Sequence, residues 1–334
     1  MSSSEAIPRP RRLWRWLAIL LILIGVGYAA GWFYVAGKVE QEMDRAVARL
    51  GERGIRLDCG ERQVVGFPLS LSLTCDSIAY DDPKRNLRAA TGALDAGAHL
   101  SQPLTPTVAV AGPLDLPGVP GLPDLRLKAN WRSLQANAQL WWPTPSRISL
   151  ESTDVAATMT TLMDPTEKKV FSAAAIAAHV MPDGADLHYS GSFTGLAIDP
   201  AVVEGRTLPA LDGNADIRLA NGLALLKQPQ GSLRGQSGEI RNLSLTSGDG
   251  SIAISGPVSV DDQGLIDAAL EIKLTNPPAI SALLQQAVPE KASEIKSAFI
   301  GLGFLGPEPS IPFRIVKGKP MVLGFSLGEI KPLD

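Results

Sequence analysis

The run Ile266–Leu274, IDAALEIKL, puts Ile266, Ala268, Leu270, Ile272 and Leu274 on one side of an extended chain and Asp267, Glu271 and Lys273 on the other. A period of two means a strand with one side against apolar neighbours and one in water. The same alternation recurs outward from it, at Leu243 and Leu245, Ile252 and Ile254, and Ile148 and Leu150. Turn sequences such as Asp261-Asp-Gln-Gly264 separate these runs, so an antiparallel sheet is expected. The fold class is mainly β with a few helices, the sheet forming a sandwich or a curved open groove.

Toward the C-terminus the period changes. After Asn276-Pro277-Pro278, the spacing of Ile280, Leu283, Leu284, Ala287 and Val288 is helical, and Ile295, Ala298, Phe299 and Leu302 continue it past Pro289. A helical insert over 277–303 is expected. The chain then closes on a hairpin: Ile311, Phe313 and Ile315, the turn Lys317-Gly-Lys-Pro320, and Met321, Leu323, Phe325 and Leu327.

Toward the N-terminus, residues 103–124 carry six prolines, which remove backbone donors and leave room for short edge strands at most. They mark a boundary between a first β lobe within 38–124 and a second within 125–334. In the first lobe, Ile55, Leu57 and Cys59, then Leu69, Leu71, Leu73 and Cys75, share one strand phase. A Cys59–Cys75 disulfide is expected, since these are the chain's two cysteines and both follow the anchor described next. Closing such a loop stabilises by roughly 3 kcal/mol, mainly by restricting the unfolded chain.

Trp16–Gly37, WLAILLILIGVGYAAGWFYVAG, contains no charge and is long enough to cross a bilayer. A transmembrane helix over 13–37 follows a tail, 1–12. Arg9, Arg11, Arg12 and Arg15 precede the span, whereas Lys38, Glu40, Glu42, Asp44 and Arg45 after it are mixed. The positive-inside bias puts the N-terminus in the cytoplasm and the bulk of the chain in the periplasm, single-pass in a bacterial inner membrane. Trp14 and Trp16 at one end, with Trp32, Phe33 and Tyr34 at the other, fit interfacial belts. A signal peptide cleaved near Ala29-x-Gly31 is the rival; the long apolar run and its bulky aromatic end favour an uncleaved anchor. Gly27 and Gly31 form a GxxxG pair, a spacing also common in membrane helices that do not pair. Val39, Met43, Ala46, Val47 and Leu50 then make one helical stripe, a juxtamembrane helix that Gly51 or Gly54 can end.

The composition, 45% hydrophobic with net charge −3, permits a full core and advertises no basic surface, so no nucleic-acid partner is expected. His99, His179 and His188 are scattered, with no metal-binding spacing. No nucleophile elbow, P-loop or dinucleotide fingerprint occurs; Ser293-x-x-Lys296 has the bare acyl-serine spacing without its partner motifs. Asp81-Asp82 and Asp261-Asp262 stand in turns, where Asp caps backbone groups. No catalytic residue, metal or cofactor is expected.

Gly66-Phe-Pro-Leu-Ser-Leu71 leading to Cys75, with the anchor, Trp131, Trp141, Trp142 and the closing hairpin, resembles an alphaproteobacterial envelope family known as a domain of unknown function (number 2125). The architecture is also similar to that of AsmA-type envelope proteins, anchored β-rich chains implicated in lipid movement or outer-membrane assembly. The resemblance implies no catalytic residues. The expected function is a non-enzymatic protein of cell-envelope maintenance that binds lipid or another hydrophobic component. A scaffold for a periplasmic protein partner is the alternative, and a hydrolase a third reading.

Overall fold

The computed structural model describes residues 11–119, 122–141, 144–226, 232–303, 306–322, 325–326 and 328–333. Residues 1–10, with Arg9, and Trp142, Leu323 and Leu327 lie outside them. Helix α1, Arg11–Glu52, is unbroken over 42 residues, so the expected span and juxtamembrane helix are one element. No proline interrupts it, and at helical rise it is roughly 63 Å long. It contains an 18-residue stretch apolar enough to cross a membrane, with no buried residue in that stretch. Gly54, at φ +84°, ends it, with Ile55 N–H donating to Leu50 C=O.

The first strands are β1 (Arg56–Gly60), β2 (Gln63–Val65), β3 (Ser70–Cys75), β4 (Ser77–Asp82) and β5 (Leu87–Thr91). Next come β6 (Leu94–His99), β7 (Thr107–Val110), β8 (Leu114–Val119), β9 (Leu122–Asn130) and β10 (Ser133–Trp141). The long strands β11 (Thr144–Thr161), β12 (Lys168–Asp183) and β13 (Asp186–Ile198) follow. Then come β14 (Leu211–Leu219), helix α2 (Gly222–Leu226), β15 (Ser237–Ser247), β16 (Gly250–Val260) and β17 (Ile266–Thr275). Helices α3 (Pro277–Ala287) and α4 (Ala292–Gly303) fill the expected insert before β18 (Ser310–Val316), β19 (Lys319–Val322) and β20 (Phe325–Ser326).

The pairings resolve into one antiparallel meander. β1 pairs with β4 and β2 with β3; β4 pairs with β5 and β3 with β6; β5 pairs with β8 and β6 with β7; β8 pairs with β9 and β7 with β10. Both β9 and β10 lie along β11, one on each half of it. Thus β1 to β10 are five long strands, each interrupted once, and the interruptions line up across the sheet. They fall at Glu61–Arg62, Asp76, Gly92–Ala93, Ala111–Pro113 and Trp131–Arg132, and the line reaches β11 at Asp154, φ +50°. Backbone groups there stay paired: Asp76 N–H donates to Gly60 C=O, Gly92 N–H to Ala111 C=O, and Arg132 N–H to Thr153 C=O. Such breaks bend strands without leaving buried donors unmet.

From β11 onward each strand through β19 pairs with the next. The open sheet, not the sandwich, is the architecture, and among the described residues no pairing joins its first strand to its last. Lower α1 covers the β1–β2 edge, where Arg62 Nη2 meets Asp44 Oδ1 at 2.7 Å.

Two local expectations change. β7 and β8 are interior strands, not edges, because Pro113 sits in the line of breaks and Pro117 at a bulge beside Gly118. Hydrogen bonding therefore runs unbroken across residue 124. At the C-terminus, β20 pairs antiparallel with β19, Val322 opposite Phe325, so Phe325–Ser326 is a third short strand and not an extension of the second.

Across β8 and β9, Arg126 donates from Nε to Asp115 Oδ1 at 2.8 Å and from Nη2 to Oδ2. This pair holds the Asp115 carboxyl below its ordinary pKa, the Arg126 hydrogen bonds being the main cause. A lowered folded pKa stabilises above the unfolded value, and the gain is lost as pH falls through the folded one. Asp115→Asn is expected to cost up to about 1 kcal/mol at neutral pH, Arg126 being half exposed. In urea titrations that cost should shrink as the pH is taken below the unfolded aspartate value of about 3.9; a pH-independent cost would point to packing instead.

Candidate functional site

Cross-strand register carries one row of side chains across nearly the whole sheet. It runs Val64, Leu73, Ala96, Val108, Ala136, Leu150, Ala178, Gly191, Ala215, Leu243, Ile254, Ile272 and Ile311, from β2 to β18. Every member is apolar or glycine. A second row on the same face passes through Leu134, Ser152, Ile176, Phe193, Gly213, Leu245, Ile252 and Leu274. A third passes through Ala138, Ile148, Val180, Tyr189, Ile217 and Ile240. The opposite face has the polar row Ser72, Gly97, Thr107, Asn137, Ser149, His179, Ser190, Asp216 and Asn242.

The apolar face is covered at one end and bare in the middle. Near β16 and β17, helix α3 lies close: Ile280 and Leu274 are buried, and Gly250 faces Ala279 and Ile280. Asn276 caps α3 by accepting from Ala279 N–H, with Pro277 starting the helix. In the middle, Ile148, Leu150, Tyr189, Leu243 and Leu245 are 39–46% exposed. Isolated apolar residues at a surface are ordinary; these five stand on the alternate strands β11, β13 and β15, with Ala178, Val180, Ala215 and Ile217 in register between them, and form a patch of the kind that binding surfaces use. At Gly213 the Phe193 ring of the neighbouring strand occupies the space a Cβ would take, so the ring's position there depends on this glycine.

At its β3–β6 end the apolar face meets α1. A cavity of about 470 Å3 opens there, lined by Gly31, Trp32 and Val35 of the helix and by Leu71, Ala98 and Leu100 of the sheet and its loop, among others. Its size falls within the usual range for small-ligand sites, and its wall is almost wholly apolar. The Gly66-Phe-Pro-Leu69 turn clasps the helix beside it. Tyr28 OH donates to Pro68 C=O, Trp32 Nε1 to Ser70 C=O at 2.9 Å, and the Phe67 ring stacks on Phe33 at 5.9 Å. Trp32, expected as an interfacial belt residue, thus holds the domain onto its helix.

A larger cavity, about 720 Å3, lies toward the strand ends around Arg218 and Arg314. It is ringed by charge: Arg218 Nη2 meets Asp186 Oδ2 at 2.7 Å, and Asn221 N–H with Arg218 pulls the Asp186 pKa down. Its acidic lining, Asp186, Glu239 and Asp267, outnumbers its arginines, so it offers no anion cradle.

Other sequence candidates take structural roles or stay apart. The sulfur atoms of Cys59 and Cys75 lie at disulfide distance with Cα atoms 5.3 Å apart, tying β1 to β3 beside the line of breaks. Asp82 accepts from Lys84 and Arg85 N–H, and Asp261 from Gln263 and Leu265 N–H, so both doublets build turns. His188 and His179 share the polar face of β12 and β13; His188 Nε2 pairs with Asp216 Oδ1 at 2.7 Å, and buried His179 Nδ1 has no hydrogen-bond partner among the described residues. Ser293 and Lys296 are exposed on α4, and no hydrogen bond joins them among the described residues. No group of three or more metal-binding side chains occurs among the described residues.

Sequence reasoning picked out the Gly66-Phe-Pro turn as a family motif and missed its contact with α1 and the cavity it frames. The available signal was the lack of Asp, Glu, Lys or Arg from Gln63 to Cys75, which a water-facing edge would carry. No curated protein and no solved structure shows significant similarity to the chain. One family model matches residues 32–331, beginning at the tryptophan that bonds to the clasping turn. The chain belongs to this family, described as uncharacterized protein conserved in bacteria (DUF2125).

Proposed function

We propose that the chain is a non-enzymatic, membrane-anchored protein of the bacterial envelope whose sheet binds the acyl chains of lipid. The carrying observation is the bare middle of the apolar face, continuous at its β3–β6 end with an apolar cavity against the membrane helix. Leaving such a patch in water costs roughly 25 cal/mol for each Å2 that a ligand would cover, and an acyl chain lacks the polar groups that would need partners there. The anchor, the arginines before it and the paired cysteines support an exported domain on the periplasmic side of an inner membrane. The resemblance to AsmA-type proteins agrees with this reading but is an analogy of architecture.

Full-length protein in vesicles carrying a phosphatidylglycerol with a photoreactive group at the acyl terminus tests it. Peptide mass spectrometry should find adducts on β11, β13 and β15 as well as on α1. Adducts confined to α1 would refute lipid binding by the sheet and leave a protein segment as the occupant of the face.

A further inference from the structure

We propose that the strand ends nearest α1 form an apolar rim that sits in the lipid of the membrane α1 crosses, beyond the span itself. At this end β2 turns into β3, β6 turns into β7, and the described ends of β10 and β11 lie paired. They present Phe67, Leu69, Leu100, Leu104, Leu140 and Trp141, each 42–73% exposed. The side chains are neighbours through the backbone, since Leu100 N–H donates to Leu69 C=O and Leu140 N–H to Leu104 C=O.

Charge separates this end from the other. Asp, Glu, Lys and Arg are absent from Gln63 to Cys75, from Ala96 to Leu114 and from Ser133 to Ser146. The connections at the opposite end carry Asp82, Lys84 and Arg85, and Asp164, Glu167 and Lys168. Charges are costly below the headgroups, whereas Trp and Leu are favoured there. The next turn on the rim side, Asp183 to Asp186, is charged again, so the rim is confined to the strands beside the helix.

The helix sets the depth. Pro68 receives its hydrogen bond from Tyr28, one turn, about 6 Å, toward the membrane from Trp32. With Trp32, Phe33 and Tyr34 at the interface, the clasping turn lies at the boundary of the hydrocarbon, and the rim continues that level away from α1. The occupant is therefore the interfacial lipid of the same bilayer, and the cavity between Trp32 and Leu100 opens toward acyl chains.

Full-length Leu104→Cys and Met163→Cys variants, labelled with the fluorophore NBD in phosphatidylethanolamine–phosphatidylglycerol vesicles, test this by quenching with spin-labelled lipid. Met163 is fully exposed at the charged far end and serves as the aqueous reference. Position 104 should be quenched at least twofold more than 163, and Trp141→Cys should match 104. Equal quenching at 104, 141 and 163 would overturn the proposal. Depth is read independently of lipid uptake, so this outcome would leave the acyl-binding reading of the sheet to its own test.

Discussion

Leu243→Glu combined with Leu245→Glu is expected to cut acyl-chain labelling of β15 and its neighbours at least tenfold while leaving the fold intact. Both leucines stand on the bare part of the apolar face, beside Ala215 and Gly213 on β14 and Ile254 and Ile252 on β16. In the unliganded protein the new carboxylates remain in water, so folding loses little. Covering them with an acyl chain desolvates charges that have no partner, and about 1.4 kcal/mol of that cost already gives a tenfold loss. Charge reversal at two exposed positions of the same strand, Glu239→Lys with Arg241→Glu, should leave labelling unchanged. Full labelling of the leucine variant would mean that the lipid lies elsewhere.

The largest stability effect is expected at Gly256. Its φ of +137° suits glycine, and an added Cβ would overlap the Ala269 carbonyl oxygen and come within 3.0 Å of Leu270 Cα. The residue forms the bulge that lets Pro257 occupy an interior strand: pairing passes from Ser255–Glu271 to Val258–Ala268 around it. The atoms an added Cβ would meet are all backbone of β17, so no flexible side chain can yield. Gly256→Val should cost about 3 kcal/mol, overpacking and left-handed strain adding together. Gly184→Ala, at positive φ but in open space, should cost no more than about 1 kcal/mol. Equal losses in chemical denaturation would show that packing at the bulge is not what Gly256 protects.

The sheet was legible where β-branched residues and leucines alternate. Ile148 and Leu150, Leu243 and Leu245, Ile252 and Ile254, and Ile266 to Leu274 all occupy the face expected of them. Their row was not legible as a whole, because Ala96, Ala136, Ala178 and Ala215 continue it with side chains too small to mark a period. Bulges hid more of it. Ile240 and Leu243 share the apolar face although three residues apart, since the register shift between them reverses the phase. The proline-rich stretch masked strands because each proline's missing donor was counted against the ladder, whereas Pro113 falls in the line of breaks and Pro117 at a bulge. The insert at 277–303 was plain from its period and its Asn-Pro-Pro start. Of the site, the apolar strand faces could be read in advance. The clasp at Tyr28, Trp32, Phe67 and Pro68 could not, since it depends on where a turn 34 residues beyond Trp32 returns to the helix.

In the proposed arrangement one face of the open sheet holds acyl chains and the opposite face does not. Neighbouring residues on β11 separate the two: Leu150 lies on the apolar row and Glu151 on the opposite face. A photocrosslinking amino acid placed at each position in the full-length protein, in living cells, reads which face meets lipid. A lipid adduct at position 150 and none at 151 is the expected result; equal yields at both, or a protein adduct alone at 150, would contradict lipid binding by the apolar face.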